Sequence, residues 1–190
     1  MAQIFFITHP EVVVDPGVPV PRWHLAEAGV RRMRAFAATP GLAGLTSVWA
    51  SSETKAIEAA GLLAARFGLP VMVEPALHEN DRSATGFLPP AEFQEVANAF
   101  FAAPEASVRG WERAIDAQAR IVTAVGRVLA AAAPGDVAIV AHGGVGTLLL
   151  CHCLGQPISR AFDQPHEGHY WRFDRDSRAV AHGWRRIAPR

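Results

Sequence analysis

The chain has 190 residues, half of them apolar, which is typical of one globular domain with a sizeable core. Lysine plus arginine and aspartate plus glutamate number 18 each, so the net charge gives no reason to expect nucleic acid or an anionic membrane as a partner. There are two cysteines, and no apolar run approaches the ~18 residues of a membrane span. This composition favours a protein of the reducing cytoplasm.

The first half of the chain alternates between strand and helix patterns. Apolar runs predict strands at Gln3–Thr8, Thr46–Ala50 and Val71–Glu74. A helix is expected from about His24 to Ala38, and a second helix follows the N-cap pattern Ser51-Ser52. Three arginines of the first helix are assigned to its solvent face: Arg31, Arg32 and Arg34.

The second half contains an irregular segment at about 81–110 with a short helix near Ala91–Phe101, which predicts a lid or insertion within a single domain over 1–190. A long helix is expected over Trp111–Ala133 and a strand over Val137–Ala141. The apolar stripe of the long helix is assigned to Ile115, Ala119, Val122, Val125 and Leu129. A closing antiparallel pair, His169–Phe173 with Arg178–Trp184, completes a mostly parallel α/β sheet.

Two histidines, His9 and His142, each follow directly after a buried strand. Ligands of parallel α/β sheets bind outside the carboxyl ends of the strands, so both side chains are expected at one edge. A neutral imidazole can act as a nucleophile, and a charged one can donate to phosphate oxygens. A lone histidine after a strand is more often structural, but two at equivalent strand ends favour a shared pocket.

Five segments, in chain order, carry a resemblance to a known family. They are Thr-His-Pro-Glu at 8–11, Leu-Ala-Glu-Ala-Gly at 25–29, Ser-Ser-Glu-Thr-Lys-Ala at 51–56, Leu-His-Glu at 77–79 and Ala-His-Gly-Gly at 141–144. They resemble the motifs Arg-His-Gly-Glu, Leu-Thr-Glu-x-Gly, Ser-Pro-x-x-Arg-Ala, Leu-x-Glu and Ser-His-Gly-Gly of the histidine phosphatase superfamily. The resemblance extends through about Phe173 and implies a three-layer, phosphoglycerate-mutase-like α/β/α fold.

The resemblance also implies a reaction on a small phosphorylated molecule or a phosphoprotein. His9 would attack phosphorus, His142 would stabilise the phosphoryl oxygens, and Glu79 would protonate the leaving oxygen, with Glu11 as an alternative acid. Water would then hydrolyse the phosphohistidine. Residues expected to contact the phosphate are Thr8, Ser51, Lys55 and Gly143. Such a reaction requires no metal or cofactor.

The chain departs from the family at Thr8 and Lys55, which stand where the family has arginine. Each lost charge-assisted hydrogen bond is worth about 1.5–3 kcal/mol, so each uncompensated loss is expected to slow catalysis by roughly one to two orders of magnitude. Arg82 is the first candidate for compensation and Arg22 the second. Arg82 is equally well interpreted as a surface arginine paired with Glu79 or Asp81. For Ser51, a simple N-cap role is favoured over a phosphate contact.

Two rival functions remain open at this level. One is a catalytically degraded family member that binds a phosphorylated or anionic ligand, or a protein partner, in the same pocket. The other is a metal-dependent hydrolase, although the histidines lack convincing ligand spacing. The substrate and the oligomeric state do not follow from the sequence.

Overall fold

The computed structural model describes residues 2–189, in which six strands form one sheet in the order β3-β2-β4-β1-β5-β6. The strands are β1 Gln3–Thr8, β2 Leu45–Ala50, β3 Val71–Val73, β4 Asp136–Ala141, β5 His169–Asp174 and β6 Val180–Arg186. The helices of this region are α1 Glu27–Ala37, α2 Thr54–Phe67, α3 Pro90–Ala102, α4 Ala114–Ala131 and α5 Gly143–Cys153.

Strands β3, β2, β4 and β1 run parallel to one another, and β5 and β6 add an antiparallel edge. The apolar runs of β1 and β4 are buried on both faces, as expected for the centre of a parallel sheet. In the β1–β4 pairing Thr8 lies opposite Ala141, so the two strands end at the same level. The predicted mostly parallel α/β sheet is confirmed.

Helices cover both faces of the sheet. Phe5 and Ile7 of β1 pack with Met33 of α1 and residues of α2 on one side. Ile4 and Phe6, whose side chains alternate to the opposite face, pack with α4 and α5 on the other. The predicted three-layer arrangement is therefore present.

The buried face of α4 differs from the predicted stripe. Ile115 is 41% exposed and Ala119 is also exposed, whereas Val125 and Leu129 are buried as expected. The residues of α4 that are buried are Ala114, Ala117, Ile121, Ala124, Val125, Val128 and Leu129. The prediction was wrong at the start of the helix because alanines, which allow close approach of a neighbouring element, form much of the buried stripe.

The prediction for Arg32 was also wrong, although Arg31 and Arg34 are exposed. Arg32 is only 5% exposed, and its guanidinium forms an ion pair with Glu11 at 2.8 Å and donates to the Gly168 carbonyl at 3.0 Å. Carbonyls of the C-terminal segment supply acceptors that a helix pattern cannot reveal. Arg32 thereby ties the loop after His9 to the segment before β5.

The segment between β3 and α4 packs onto the rest of the fold through α3. Val96, Phe100 and Phe101 form an apolar cluster with Trp111 and with Leu148 of α5. The α3 helix therefore packs against the middle of α5. None of the helices in residues 2–189 combines the length and the apolar character needed to cross a membrane.

Candidate active site

The sheet brings His9 and His142 together. The N–H of His9 donates to the Ala141 carbonyl at 3.2 Å, which continues the β1–β4 ladder past the strand ends. The two imidazole rings meet edge to face with their centroids 5.3 Å apart. The expected neighbourhood of these two histidines is thus present in the structure.

The hydrogen bonding of His9 leaves one ring nitrogen open. Nδ1 lies 2.9 Å from the Pro10 carbonyl, which can only accept, so Nδ1 carries the hydrogen and Nε2 keeps its lone pair. Burial, together with the nearby charges of His142 and Lys55, lowers the pKa of His9 to about 3. His9 is therefore neutral at physiological pH, the form that a nucleophile requires.

His142 is almost fully buried beside β2 and α2. Its Nε2 lies 2.7 Å from the Ser51 hydroxyl and 3.3 Å from Oε1 of Glu53. Burial lowers the pKa of His142, and this effect outweighs the opposing charges of Glu53 and Glu79. Its Nδ1 is buried with no hydrogen-bond partner among residues 2–189, so this nitrogen is the position left for a ligand.

The simpler interpretation of Ser51, as the N-cap of α2, is wrong. The helix begins at Thr54 with Glu53 as the N-cap residue, and the Ser51 hydroxyl accepts weakly from the Glu53 N–H at 3.3 Å. The backbone N–H of Ser51 donates to Val140 at 3.0 Å, which holds the residue at the end of β2. Ser51 is fully buried, and its short contact is the one with His142.

Glu53 is a site residue that the sequence analysis missed. It is 7% exposed, and its carboxylate forms an ion pair with Lys55 at 2.5 Å and accepts from the Glu79 N–H at 3.0 Å. Burial alone would raise the pKa of Glu53, but His142 and Lys55 outweigh it and leave the pKa well below its usual range. The sequence does not indicate a site role for this residue. A glutamate at the start of a helix is common because it interacts favourably with the helix dipole.

Lys55 is the single lysine of the chain and is 3% exposed. Besides its pair with Glu53, its ammonium donates to the Val20 carbonyl at 2.9 Å. An ammonium has three N–H donors, so one remains for a ligand. The predicted phosphate contact is still possible on this count, but the charge of Lys55 is already balanced by Glu53.

Glu79 anchors the start of α5. Its two oxygens accept from the backbone N–H groups of Gly144 at 3.0 Å and Val145 at 2.9 Å. A Cβ on Gly144 would lie 2.7 Å from Oε1 of Glu79, so this close approach requires glycine. Burial alone would raise the pKa of Glu79, but Arg82, His142 and the two N–H groups lower it overall. Glu79 is a carboxylate in the resting site and must gain a proton before it can act as an acid.

The Thr8 hydroxyl is occupied within the fold. It donates to Oε1 of Gln164 at 2.7 Å and accepts from the His169 N–H at 3.0 Å. The side-chain amide of Gln164 in turn lies so close to Gly143 that a Cβ at this position would clash with the Gln164 Nε2. Thr8 therefore positions Gln164, a second residue that the sequence analysis missed, beside Gly143.

The two compensation candidates lie in different surroundings. Arg82 packs against the rings of Phe93 and Trp111, which contact each other, with its Cζ 5.1 and 5.5 Å from their centroids. One of its guanidinium nitrogens is 4.0 Å from Oε2 of Glu79. It lines an open pocket of about 310 Å³ together with Gly143 and Gly144. Arg22 is exposed at the turn Val20–Arg22. This turn contacts the site through the Val20 carbonyl, which accepts a hydrogen bond from the Lys55 ammonium.

Stability is expected to fall below neutral pH because of His9. The unfolded chain binds a proton near the ordinary histidine pKa of 6.5, while the folded chain holds the pKa at about 3, so acid favours unfolding between these values. We expect a loss of about 1–2 kcal/mol in the free energy of unfolding from this group between pH 7 and pH 5. Urea unfolding at both pH values measures it, and His9→Asn should show a smaller loss. An equal loss in the variant would contradict this origin.

A sequence model of the histidine phosphatase superfamily (branch 1) matches residues 20–177. The chain belongs to this superfamily. The match covers Ser51, Lys55, Glu79 and His142, and it begins after His9, whose place follows from the fold. No curated protein sequence matches the chain significantly.

Among residues 2–189, no three His, Cys, Asp or Glu side chains are grouped so that they could hold a metal ion.

Solved structures of similar fold have low sequence identity to the chain. The mycobacterial glucosyl-3-phosphoglycerate phosphatase is 21% identical, with 99% of each chain covered and a TM-score of 0.76. YhfR of Bacillus stearothermophilus is 20% identical, with 96% of this chain and 95% of that chain covered and a TM-score of 0.79. The alpha-ribazole phosphatase of Shigella flexneri is 17% identical, with 98% and 96% covered and a TM-score of 0.70. These likenesses establish the shared fold.

Proposed function

We propose that this superfamily member is a phosphatase that hydrolyses a phosphate monoester through a phosphohistidine on His9. The observation that carries the proposal is the facing pair of neutral histidines, with Nε2 of His9 open and Nδ1 of His142 unpartnered. The substrate is a small phosphorylated molecule or a phosphoprotein. The reaction as proposed uses no cofactor.

The first step is attack of the His9 Nε2 lone pair on phosphorus, with departure of the ester oxygen on the opposite side. Phosphoryl transfer needs positioning and charge around the oxygens more than covalent machinery. Nδ1 of His142 and the third N–H of Lys55 are the open groups for those oxygens, and Ser51 holds the His142 ring. Water then attacks the phosphohistidine and releases inorganic phosphate.

A second candidate function is binding of a phosphorylated or anionic ligand, or of a protein partner, without turnover. Two observations favour it: the Lys55 ammonium is already paired with Glu53, and the Thr8 hydroxyl is engaged by Gln164. Neither group adds the arginine charge on which the family motif depends. The facing histidines still favour the enzyme, because binding alone requires no open nucleophile.

An assay of the wild-type protein with an aryl phosphate between pH 5 and 8 tests the proposed function. We expect release of inorganic phosphate, and in ¹⁸O-labelled water the label should enter the phosphate, since water cleaves the phosphohistidine. Phosphate that binds without being released from any ester would support the binding function. Absence of both turnover and binding would contradict both candidates.

Arg82 is expected to contribute to phosphate binding because it lines the pocket and packs against the Phe93 and Trp111 rings. We expect Arg82→Ala to raise KM about tenfold to hundredfold, which corresponds to one charge-assisted hydrogen bond of about 1.5–3 kcal/mol. Steady-state kinetics measure this effect. Arg113→Ala is the matched control, since Arg113 is exposed and paired with Asp116. Unchanged kinetics in Arg82→Ala would exclude the compensating role.

A further inference from the structure

Two cations that act on the histidines, Lys55 and Arg82, each face a carboxylate. Lys55 is 2.5 Å from Glu53, and Arg82 is 4.0 Å from Glu79. The formal charges of these four groups sum to zero, and His9 carries no charge at physiological pH. Thr8 adds no charge where the family motif has arginine. The site therefore has no surplus of positive charge.

A phosphate monoester is a dianion above its second pKa, which is about 6, and a monoanion below it. Moving a dianion from water into a partly buried site without surplus cations leaves two charges uncompensated, and the ionised Glu53 repels both. A monoanion carries half that charge and presents a P–O–H group. That hydroxyl can donate to a carboxylate oxygen, which a dianion cannot do.

We propose that this site accepts the phosphoryl group of its substrate as the monoanion, and that Glu53 is the residue that selects this form. The inference rests on the proposed function for its catalytic consequence. Its binding consequence stands on the charge arrangement alone. The substrate class is therefore a phosphate monoester that still carries one proton on the phosphoryl group.

The monoanion also supplies the proton that the leaving group requires. The His9 Nε2 lone pair forms the N–P bond, the P–O ester bond breaks, and its electron pair moves to the leaving oxygen. The phosphoryl proton then passes to that oxygen, directly or through the Glu79 carboxylate. The products are a neutral alcohol and a phosphohistidine, so atoms and charge balance. This route explains how Glu79 can assist although it is ionised in the resting site.

Charged and titratable groups face the site from every element that builds it. They are His9 at the end of β1, Glu53 and Lys55 at the start of α2, His142 at the end of β4, and Glu79 and Arg82 before α3. The segment before β5 adds Arg160, Asp163, His166 and Glu167, which line the same pocket as Arg82. The pKa values of Glu53 and Glu79 are lowered, and the pKa of His9 is about 3. His9, Glu53 and Glu79 therefore keep their charge between pH 6 and 8, whereas a phosphate monoester changes its own.

The first test compares two phosphate esters whose second pKa values differ, using the wild-type protein. We expect kcat/KM to fall about tenfold per pH unit above the second pKa of each ester, as required for loss of one proton. The pH at which kcat/KM begins to fall should be higher for the ester with the higher second pKa. If kcat/KM begins to fall at the same pH for both esters, the titrating group belongs to the protein and the inference is overturned.

The second test is Glu53→Gln, which keeps the shape of the side chain and removes its charge. We expect this variant to accept the dianion, so that its decline at high pH flattens and its kcat/KM at pH 8 rises about tenfold relative to wild type. Glu58→Gln is the control on the same helix, because Glu58 contacts His24 and Leu25 rather than the site. A folded Glu53→Gln protein with the wild-type pH profile would contradict the selecting role.

A binding measurement separates this inference from the proposed function. Isotope-labelled lysine gives one side-chain NMR signal, from Lys55, which reports titration with inorganic phosphate. Wild-type affinity should fall as phosphate becomes a dianion, and Glu53→Gln affinity should not. If the wild-type protein binds phosphate in this way but hydrolyses no ester, the inference is supported and the proposed function is contradicted. Affinity that rises with pH, or no binding, overturns the inference.

Discussion

Replacing His9 with alanine is expected to lower phosphate-ester turnover by roughly three orders of magnitude or more, because the variant lacks the atom that forms the N–P bond. Nδ1 of His9 is held by the Pro10 carbonyl, so Nε2 is the nitrogen that faces the substrate. Wild-type protein quenched during turnover should contain an acid-labile phosphoryl group. His9→Ala should contain none.

The control for this prediction is His152→Ala, since His152 is exposed on α5. Its turnover and phosphoryl trapping should equal those of the wild type. His9→Ala should still bind phosphate, because Lys55 and His142 remain. Retention of more than a tenth of wild-type turnover in His9→Ala would show that another group is the nucleophile.

Lys55→Met is expected to lower the free energy of unfolding by about 3–5 kcal/mol, the range for breaking a buried ion pair by removing one partner. The variant leaves the Glu53 carboxylate buried at 7% exposure without its cation. Urea unfolding monitored by circular dichroism measures the change. The same variant should also lose phosphate affinity, because it lacks the third ammonium N–H.

The double variant Glu53→Leu with Lys55→Met is expected to recover most of that stability, because it removes both charges together. Arg127→Met is a surface control. Arg127 pairs with Glu74 while half exposed, so solvent screens the pair and its removal should change stability far less than the loss of Lys55 does. A loss below about 1 kcal/mol in Lys55→Met, or no recovery in the double variant, would contradict a buried and mutually dependent pair.

The positions of both histidines could be predicted from local sequence. β1 and β4 are apolar throughout, and such runs are buried on both faces of a parallel sheet. Parallel strands end at one edge, so a histidine after each strand must lie near the other. The superfamily and the three-layer fold followed from the same segments together with the motif order.

Predictions about helix faces were less successful. The buried stripe of α4 was misplaced because alanine contributes little to an apolar pattern but allows close packing. Arg32 was assigned to solvent because its acceptors are backbone carbonyls such as that of Gly168, and no sequence pattern distinguishes such acceptors. In both cases the neighbouring element decides which face is buried.

The sequence by itself determined which residues lie at the strand ends, because burial and periodicity are local properties of a run of side chains. Only the tertiary structure decided how those residues are charged and hydrogen-bonded. Thr8 meets Gln164 across 156 positions of the chain, and His142 meets Ser51 across 91. The Glu53 carboxylate meets His142, which is also distant in the sequence, whereas its contact with Lys55 is local. Partners of this kind depend on chain closure in three dimensions, and they set the pKa of each group and the charge that the site can accept.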